Sequence, residues 1–196
     1  MEIVIIRHGE SVNNQEDTSL HTADPDLSPR GFLQARLLGE RMAKTKIDAL
    51  FASPLCRALR TANEISVRKD GMPVQILHEL VEIGTEPGDA GNYGDGYTLD
   101  VNDPYYSLSR AYRVISRIRQ SFPDDARVVL VAHGAFNQRL IAAALRTPLP
   151  SDDWVFSQDN TGVSVVSWRP NREGRIITRL IKMNDTSHLY GAGMTE

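Results

Sequence analysis

The run Ile3-Val4-Ile5-Ile6 constrains the fold more than any other stretch of this chain. Four β-branched residues in succession leave no polar face, so a strand built from them must be covered on both sides, as the central strands of α/β sheets are. Directly behind it stand Arg7, His8, Gly9 and Glu10. Gly9 lets the backbone turn or approach a ligand closely, Arg7 offers a planar fork of donors suited to phosphate, and His8 is a candidate nucleophile or base. An anion is the ligand such a loop is built to handle.

The same succession of buried strand, polar loop and helix recurs along the chain. Asp26-Leu27-Ser28-Pro29-Arg30-Gly31 predicts a helix with Ser28 as cap and Pro29 at its first position, carrying Ala35, Leu38 and Met42 at helical spacing to about Lys44. Residues 48–52 form a short apolar strand, and Ser53-Pro54 repeats the cap-and-proline signal for a second helix with Arg57 in its first turn. A third strand is expected at 74–77, followed by Glu79, Glu82 and Glu86. From 84 to 96 the composition shifts to five glycines with Pro87, Asp89, Asn92 and Asp95, which reads as a mobile flap with little to pack. Its glycines match neither a dinucleotide fingerprint nor a P-loop, and its acids lack calcium-loop spacing.

Asp103-Pro104 opens a third helix, with Tyr105, Leu108, Tyr112, Ile115 and Ile118 on one side and Arg110, Arg113, Arg117 and Arg119 as a solvated face. Residues 127–132 are the clearest strand pattern and end in His133-Gly134. A fourth helix follows through Leu140 and Leu145 and stops at Thr147-Pro148, and two strand patterns at 162–168 and 175–183 form a hairpin.

Alternation of strands and helices implies parallel pairing, right-handed crossovers and helices on both faces. The expected fold class is therefore α/β, a three-layer sandwich with a mostly parallel central sheet and a C-terminal hairpin, in one domain spanning 1–196. In such sheets ligands bind beyond the carboxyl ends of the strands. Arg7 and His8 follow the first strand, Arg57 the second, Glu82 the third and His133 the fourth, so residues far apart in sequence are expected at one edge.

Composition narrows the partners. The formal charge of −3, from 22 basic and 25 acidic residues, advertises neither nucleic acid nor an anionic membrane, so any anion site is local. Cys56 is the only cysteine, which excludes an internal disulfide and zinc motifs built on cysteine pairs. With no signal-like segment before residue 3 and no run of membrane-spanning length, the expectation is a soluble, cytoplasmic protein. Its oligomeric state is left open.

Four separated motifs then carry a resemblance: Arg7-His8-Gly9-Glu10-Ser11 with Asn14; Leu27-Ser28-Pro29-x-Gly31-x-x-Gln34-Ala35; Ser53-Pro54-Leu55-x-Arg57-Ala58-x-x-Thr61-Ala62; and Val131-Ala132-His133-Gly134. In order and spacing they closely resemble the histidine phosphatase superfamily, the phosphoglycerate-mutase-like proteins, and the late Asn184-Asp185-Thr186-Ser187-His188-Leu189 resembles the end of many bacterial members. The resemblance implies a metal-independent phosphomonoester hydrolase without a cofactor, acting on a small phosphorylated substrate through a phosphohistidine on His8. Arg7, Arg57, Asn14 and His133 would bind the phosphoryl oxygens, with His133 also counted as catalytic.

Glu82 best matches the family's acid, which protonates the leaving oxygen and then activates water. The segment departs from the usual aromatic-acid-glycine turn after that acid, since Ile83-Gly84-Thr85-Glu86-Pro87-Gly88 follows, and Glu86 and Glu79 therefore compete for the role. His21, His78 and His188 lack the strand-end setting of His8 and His133. Cys56 lacks the arginine six positions on that a thiol phosphatase needs, Ala62 standing there, and reads as a buried structural thiol. Two other functions fit the same pocket: a mutase, for which the chain lacks the longer insertion and tail that would shield the phosphoenzyme from water, and a phosphate-binding module without turnover.

Overall fold

The computed structural model describes residues 1–14, 19, 22–85, 104–148, 156–191 and 193. Its elements, in chain order, are β1 (Glu2–Arg7), α1 (Pro29–Ala43), β2 (Ala49–Ala52), α2 (Cys56–Val67), β3 (Val74–Ile76), α3 (Pro104–Ser121), β4 (Arg127–Ala132), α4 (Gly134–Leu145), β5 (Val163–Pro170), β6 (Ile176–Asp185) and α5 (Ser187–Tyr190). The strands form one sheet in the order β3-β2-β4-β1-β5-β6. β3, β2, β4 and β1 run parallel, while β5 is antiparallel to β1 and β6 to β5.

The expected α/β sandwich with its closing hairpin is what these residues build. The alternating directions of strand side chains explain the unbroken apolar run in β1. Ile3 and Ile5 pack with Leu130 against Val114 and Ile118 of α3 and Leu140 and Ile141 of α4. Val4 and Ile6 point the other way and join Val129, Val131 and Leu50 against Leu38 of α1 and Ala58, Ala62 and Ile65 of α2.

At the start of α1, Ser28 accepts from the Gly31 N–H at 3.0 Å, the cap read from sequence. The same hydroxyl donates to Glu10 Oε1 at 2.6 Å, tying the helix to the loop after β1. A Cβ at Gly31 would stand 1.9 Å from the Glu10 carbonyl oxygen, so helix and loop meet backbone to backbone, and only glycine permits it.

Three local expectations are corrected. α2 starts at Cys56, not at a capping Ser53; its N-cap, Leu55, makes no side-chain cap bond. The capping acceptor comes instead from a distant loop, where Asp24 Oδ1 accepts from the Cys56 N–H at 2.9 Å. On α3, Tyr105 is 74% exposed and Tyr112 40%, whereas Arg110, assigned to the solvated face, is only 3% exposed. Its guanidinium lies 4.1 Å over the Phe136 ring and donates to the Val81 carbonyl at 3.0 Å, so a cation, with its long apolar stem, fills the core position. Cys56 is half-exposed and not buried. The expected flap falls, apart from Gly84 and Thr85, outside the described residues, as do Glu86 and His21.

Candidate active site

β1 and β4 are parallel neighbours with Arg7 opposite Ala132, so the residues that follow them emerge together. The His8 and His133 rings lie with centroids 5.1 Å apart and planes tilted by 57°. β2, on the far side of β4, ends at Ala52, and Ser53 leads on toward α2, whose first turn carries Arg57. The strand-end residues thus converge because parallel strands deliver every carboxyl end to one edge.

His8 is held in one protonation state and one tautomer. Its Nδ1 lies 2.6 Å from the Gly9 carbonyl, which can only accept, so Nδ1 carries the proton and Nε2 the lone pair. Arg57 Nε donates to that Nε2 at 3.2 Å. Burial, together with the charges of Arg57 and Arg7 and against the Gly9 hydrogen bond, pushes the imidazole down to about 3. It is neutral at physiological pH, as a nucleophile must be. The loop is fixed further by Gly9 N–H donating to Thr61 Oγ1 at 3.0 Å, the Thr61 hydroxyl in turn donating to the Arg57 carbonyl at 2.8 Å.

A cavity of about 390 Å³ opens over this edge, with Arg7, His8, Asn14, Arg57 and Glu82 all on its wall. Arg7 Nη1 donates to the Gln158 carbonyl at 2.8 Å. Arg57 is buried and pairs at 3.8 Å with Asp24. Burial lowers its guanidinium from the ordinary value, while the charges of Glu82 and Asp24 oppose the drop. Asn14 Oδ1 accepts from both the backbone N–H and the hydroxyl of Ser11 at 2.9 Å, which turns its NH2 group into the end able to donate to a ligand.

Glu82 sits on the same wall, its carboxylate laid across the start of α4. Oε1 accepts from the N–H of Phe136 at 2.9 Å and of Ile83 at 2.9 Å, and Oε2 from that of Ala135 at 3.2 Å. His133, the N-cap residue of α4, makes no side-chain cap bond, so Glu82 supplies the cap from another element. Of its rivals, Glu79 faces away and pairs with Arg117 at 3.5 Å.

His133 follows β4 to the same edge. Its ring is fully buried behind His8 and does not line the cavity; Nε2 lies 2.8 Å from Ser53 Oγ, the hydroxyl that was expected to cap α2. Burial, with the nearby His8, Arg57, Arg7 and Arg110, holds it well below the ordinary histidine value.

Residues 158–162 were missed by sequence reading and complete the frame. The Thr161 N–H donates to the Arg7 and His8 carbonyls at 3.1 and 3.2 Å, and Asn160 Nδ2 donates to the His8 carbonyl at 3.0 Å. Gln158 Nε2 donates to Ile5 O, Gly162 O and Ser164 Oγ, and its Oε1 accepts from Asn137. The only local signal was Asn160-Thr161-Gly162, which reads as an ordinary turn before a strand. His188, also read as inert, lies 2.9 Å from Thr161 Oγ1 and so holds this turn from the C-terminal side. His78 is exposed on the surface. Among the described residues, no cluster of three or more metal-ligating side chains occurs.

Residues 3–89 and 101–182 match the model of the histidine phosphatase superfamily, branch 1. Across 96% of this chain and 94% of the relative, the sequence is 28% identical to phosphoserine phosphatase 1 of Hydrogenobacter thermophilus. Among solved structures, a mycobacterial glucosyl-3-phosphoglycerate phosphatase in complex with VO3 superposes with a TM-score of 0.68 at 25% identity, covering 93% of this chain and 98% of that one. The fold is shared too with an Entamoeba histolytica phosphoserine phosphatase in complex with 3-phosphoglyceric acid, at a TM-score of 0.70 and 23% identity over 96% and 98% of the two chains.

Proposed function

The chain belongs to the histidine phosphatase superfamily, and from that premise we propose that it is a metal-independent phosphomonoester hydrolase working through a phosphohistidine on His8. The observation that carries the reading is the fixed tautomer of His8, with its proton on Nδ1 against the Gly9 carbonyl and its lone pair on Nε2 facing Arg57. Nε2 attacks phosphorus in line with the leaving oxygen, a P–N bond forms as the P–O bond breaks, and Glu82 delivers its proton to that oxygen. The resulting phosphoimidazolium keeps its Nδ1 proton on Gly9. A water then attacks phosphorus, Glu82 takes up its proton, and the P–N electrons return to Nε2.

Arg7 and Arg57 offer charge-assisted donors to the equatorial oxygens and match a phosphate dianion without a metal ion. Arg57 Nε is shared between the nucleophile and the phosphoryl group, so transfer of that donor to phosphate frees the attacking lone pair. Asn14 adds a neutral donor at the rim. His133, anchored on Ser53, positions the His8 ring from behind. Hydrolysis over mutase chemistry is favoured by the relatives that are phosphatases. A cytoplasmic setting suits the single free thiol.

The test is rapid quenching after brief incubation with a 32P-labelled phosphomonoester in the presence of chelator. Label that is acid-labile and alkali-stable is expected on the protein and absent from His8→Ala. Label persisting in His8→Ala, or appearing only when a divalent metal is restored, overturns the mechanism.

A further inference from the structure

We infer that the substrate is the phosphate ester of an uncharged, hydroxyl-bearing alcohol, and that Gln138 and Ser157 are the residues that select it. The inference rests on the phosphohistidine reading and concerns the half of the cavity that the phosphoryl group does not use.

Among the described residues, the cations on the cavity wall are Arg7 and Arg57 alone. Every lysine and arginine of the chain lies among the described residues; the stretches 15–18, 86–103 and 149–155, next in sequence to Asn14, Thr85 and Phe156, contain carboxylic acids but no lysine or arginine, and residues 20–21, close in sequence to Ala23, contribute one histidine, His21. A phosphate dianion consumes both guanidinium charges. Among the described residues no further lysine or arginine lines the cavity for a second anionic group on the substrate. Arg139, whose charge reaches Glu82, is not on the wall and is engaged with Ser107 Oγ at 3.2 Å.

A helix N-terminus could stand in for a cation, and α4 begins beside the cavity. Its amides at Ala135 and Phe136, however, are already taken by the Glu82 carboxylate. A substrate carboxylate would therefore find these amides occupied and, among the described residues, no free cation to pair with.

The uncharged side chains divide in the same way. Asn13 spends both ends of its amide on the Thr22 backbone, at 2.7 and 3.0 Å, and the Thr85 hydroxyl donates to the Glu82 carbonyl at 2.8 Å. Gln138 and Ser157 hold no such partners among the described residues and face the same space. Gln138 stands one turn beyond Ala135 on α4, on the same helix face. An amide and a hydroxyl both donate and accept, which suits alcohol hydroxyls and gives a carboxylate no charge.

Glycerol 3-phosphate and 3-phosphoglycerate form the matched test pair, since they differ only in CH2OH against COO− at the end remote from phosphorus. Purified protein is expected to show kcat/KM at least tenfold higher for glycerol 3-phosphate. Gln138→Arg, with Ser157→Arg as the parallel variant on the exposed rim, is expected to narrow that ratio by raising turnover of 3-phosphoglycerate. A ratio under ten, a reversed ratio, or a ratio unmoved by both variants overturns the inference. Quenched label on His8 is read in the same samples: wrong selectivity, or neither turnover nor label from both esters, sinks this inference alone, and turnover without label on the protein sinks the phosphohistidine reading beneath it.

Discussion

Glu82 and Phe136 are joined across 54 positions of sequence by a 2.9 Å hydrogen bond from the Phe136 N–H to the Glu82 carboxylate. The proposed acid thereby doubles as the cap of α4, the helix that begins directly behind His133. Its position over the cavity is set by the helix as much as by its own loop.

Glu82→Gln tests both roles. An alkyl leaving oxygen is strongly basic and departs poorly without a proton, whereas a nitrophenolate departs with little help. In single-turnover quench measurements the substitution should slow phosphorylation of His8 by an alkyl phosphate far more than by nitrophenyl phosphate. Glutamine keeps one acceptor oxygen but turns an NH2 toward an α4 amide, so stability should fall as well, by about 0.5–2 kcal/mol in urea unfolding. Equal slowing of both substrates would move the acid elsewhere, with Glu86 next in line.

The His8 imidazole should stay neutral far into the acid range. Its folded value of about 3 lies below the ordinary 6.5, so the unfolded chain takes up a proton first. Stability from this histidine is fully present above pH 6.5 and is lost as pH falls from 6.5 toward 3, at about 1.4 kcal/mol per pH unit. Long-range 15N spectra of the imidazoles at pH 5 should show His8 as the Nδ1–H tautomer; an imidazolium pattern at that pH would contradict the tautomer on which the mechanism stands. A histidine with the ordinary value would by then have lost about 30-fold of its neutral form.

Ser53→Ala should behave as loss of a buried partner and not as loss of a helix cap. The hydroxyl sits 2.8 Å from His133 Nε2, and removing it leaves a fully buried imidazole nitrogen unpaired, at a cost of about 1–3 kcal/mol. Phosphorylation of His8 should slow alongside, because His133 backs the His8 ring. Unchanged unfolding and unchanged rate together would show that the pair positions nothing.

What the sequence determined by itself was everything that periodicity and local chemistry encode. The two-sided burial of β1 is written in its β-branched run, the start of α1 in Ser28-Pro29, and the shared edge of Arg7, His8, Arg57, Glu82 and His133 in the rule that parallel strands end together. Tertiary structure alone decided which partner each polar group took. Ser53 carries the local signature of a cap, yet it is drawn to His133 because β2 and β4 are neighbours, and Asp24 caps α2 in its place. Arg110 has the spacing of a solvated face, yet packs over Phe136 because α3 and α4 lie together on one side of the sheet. The hold of Thr161 on the His8 carbonyl spans a separation that no local pattern reports. Secondary structure follows from neighbours within a few residues, whereas a buried donor or acceptor is satisfied by whatever the fold brings within about 3 Å.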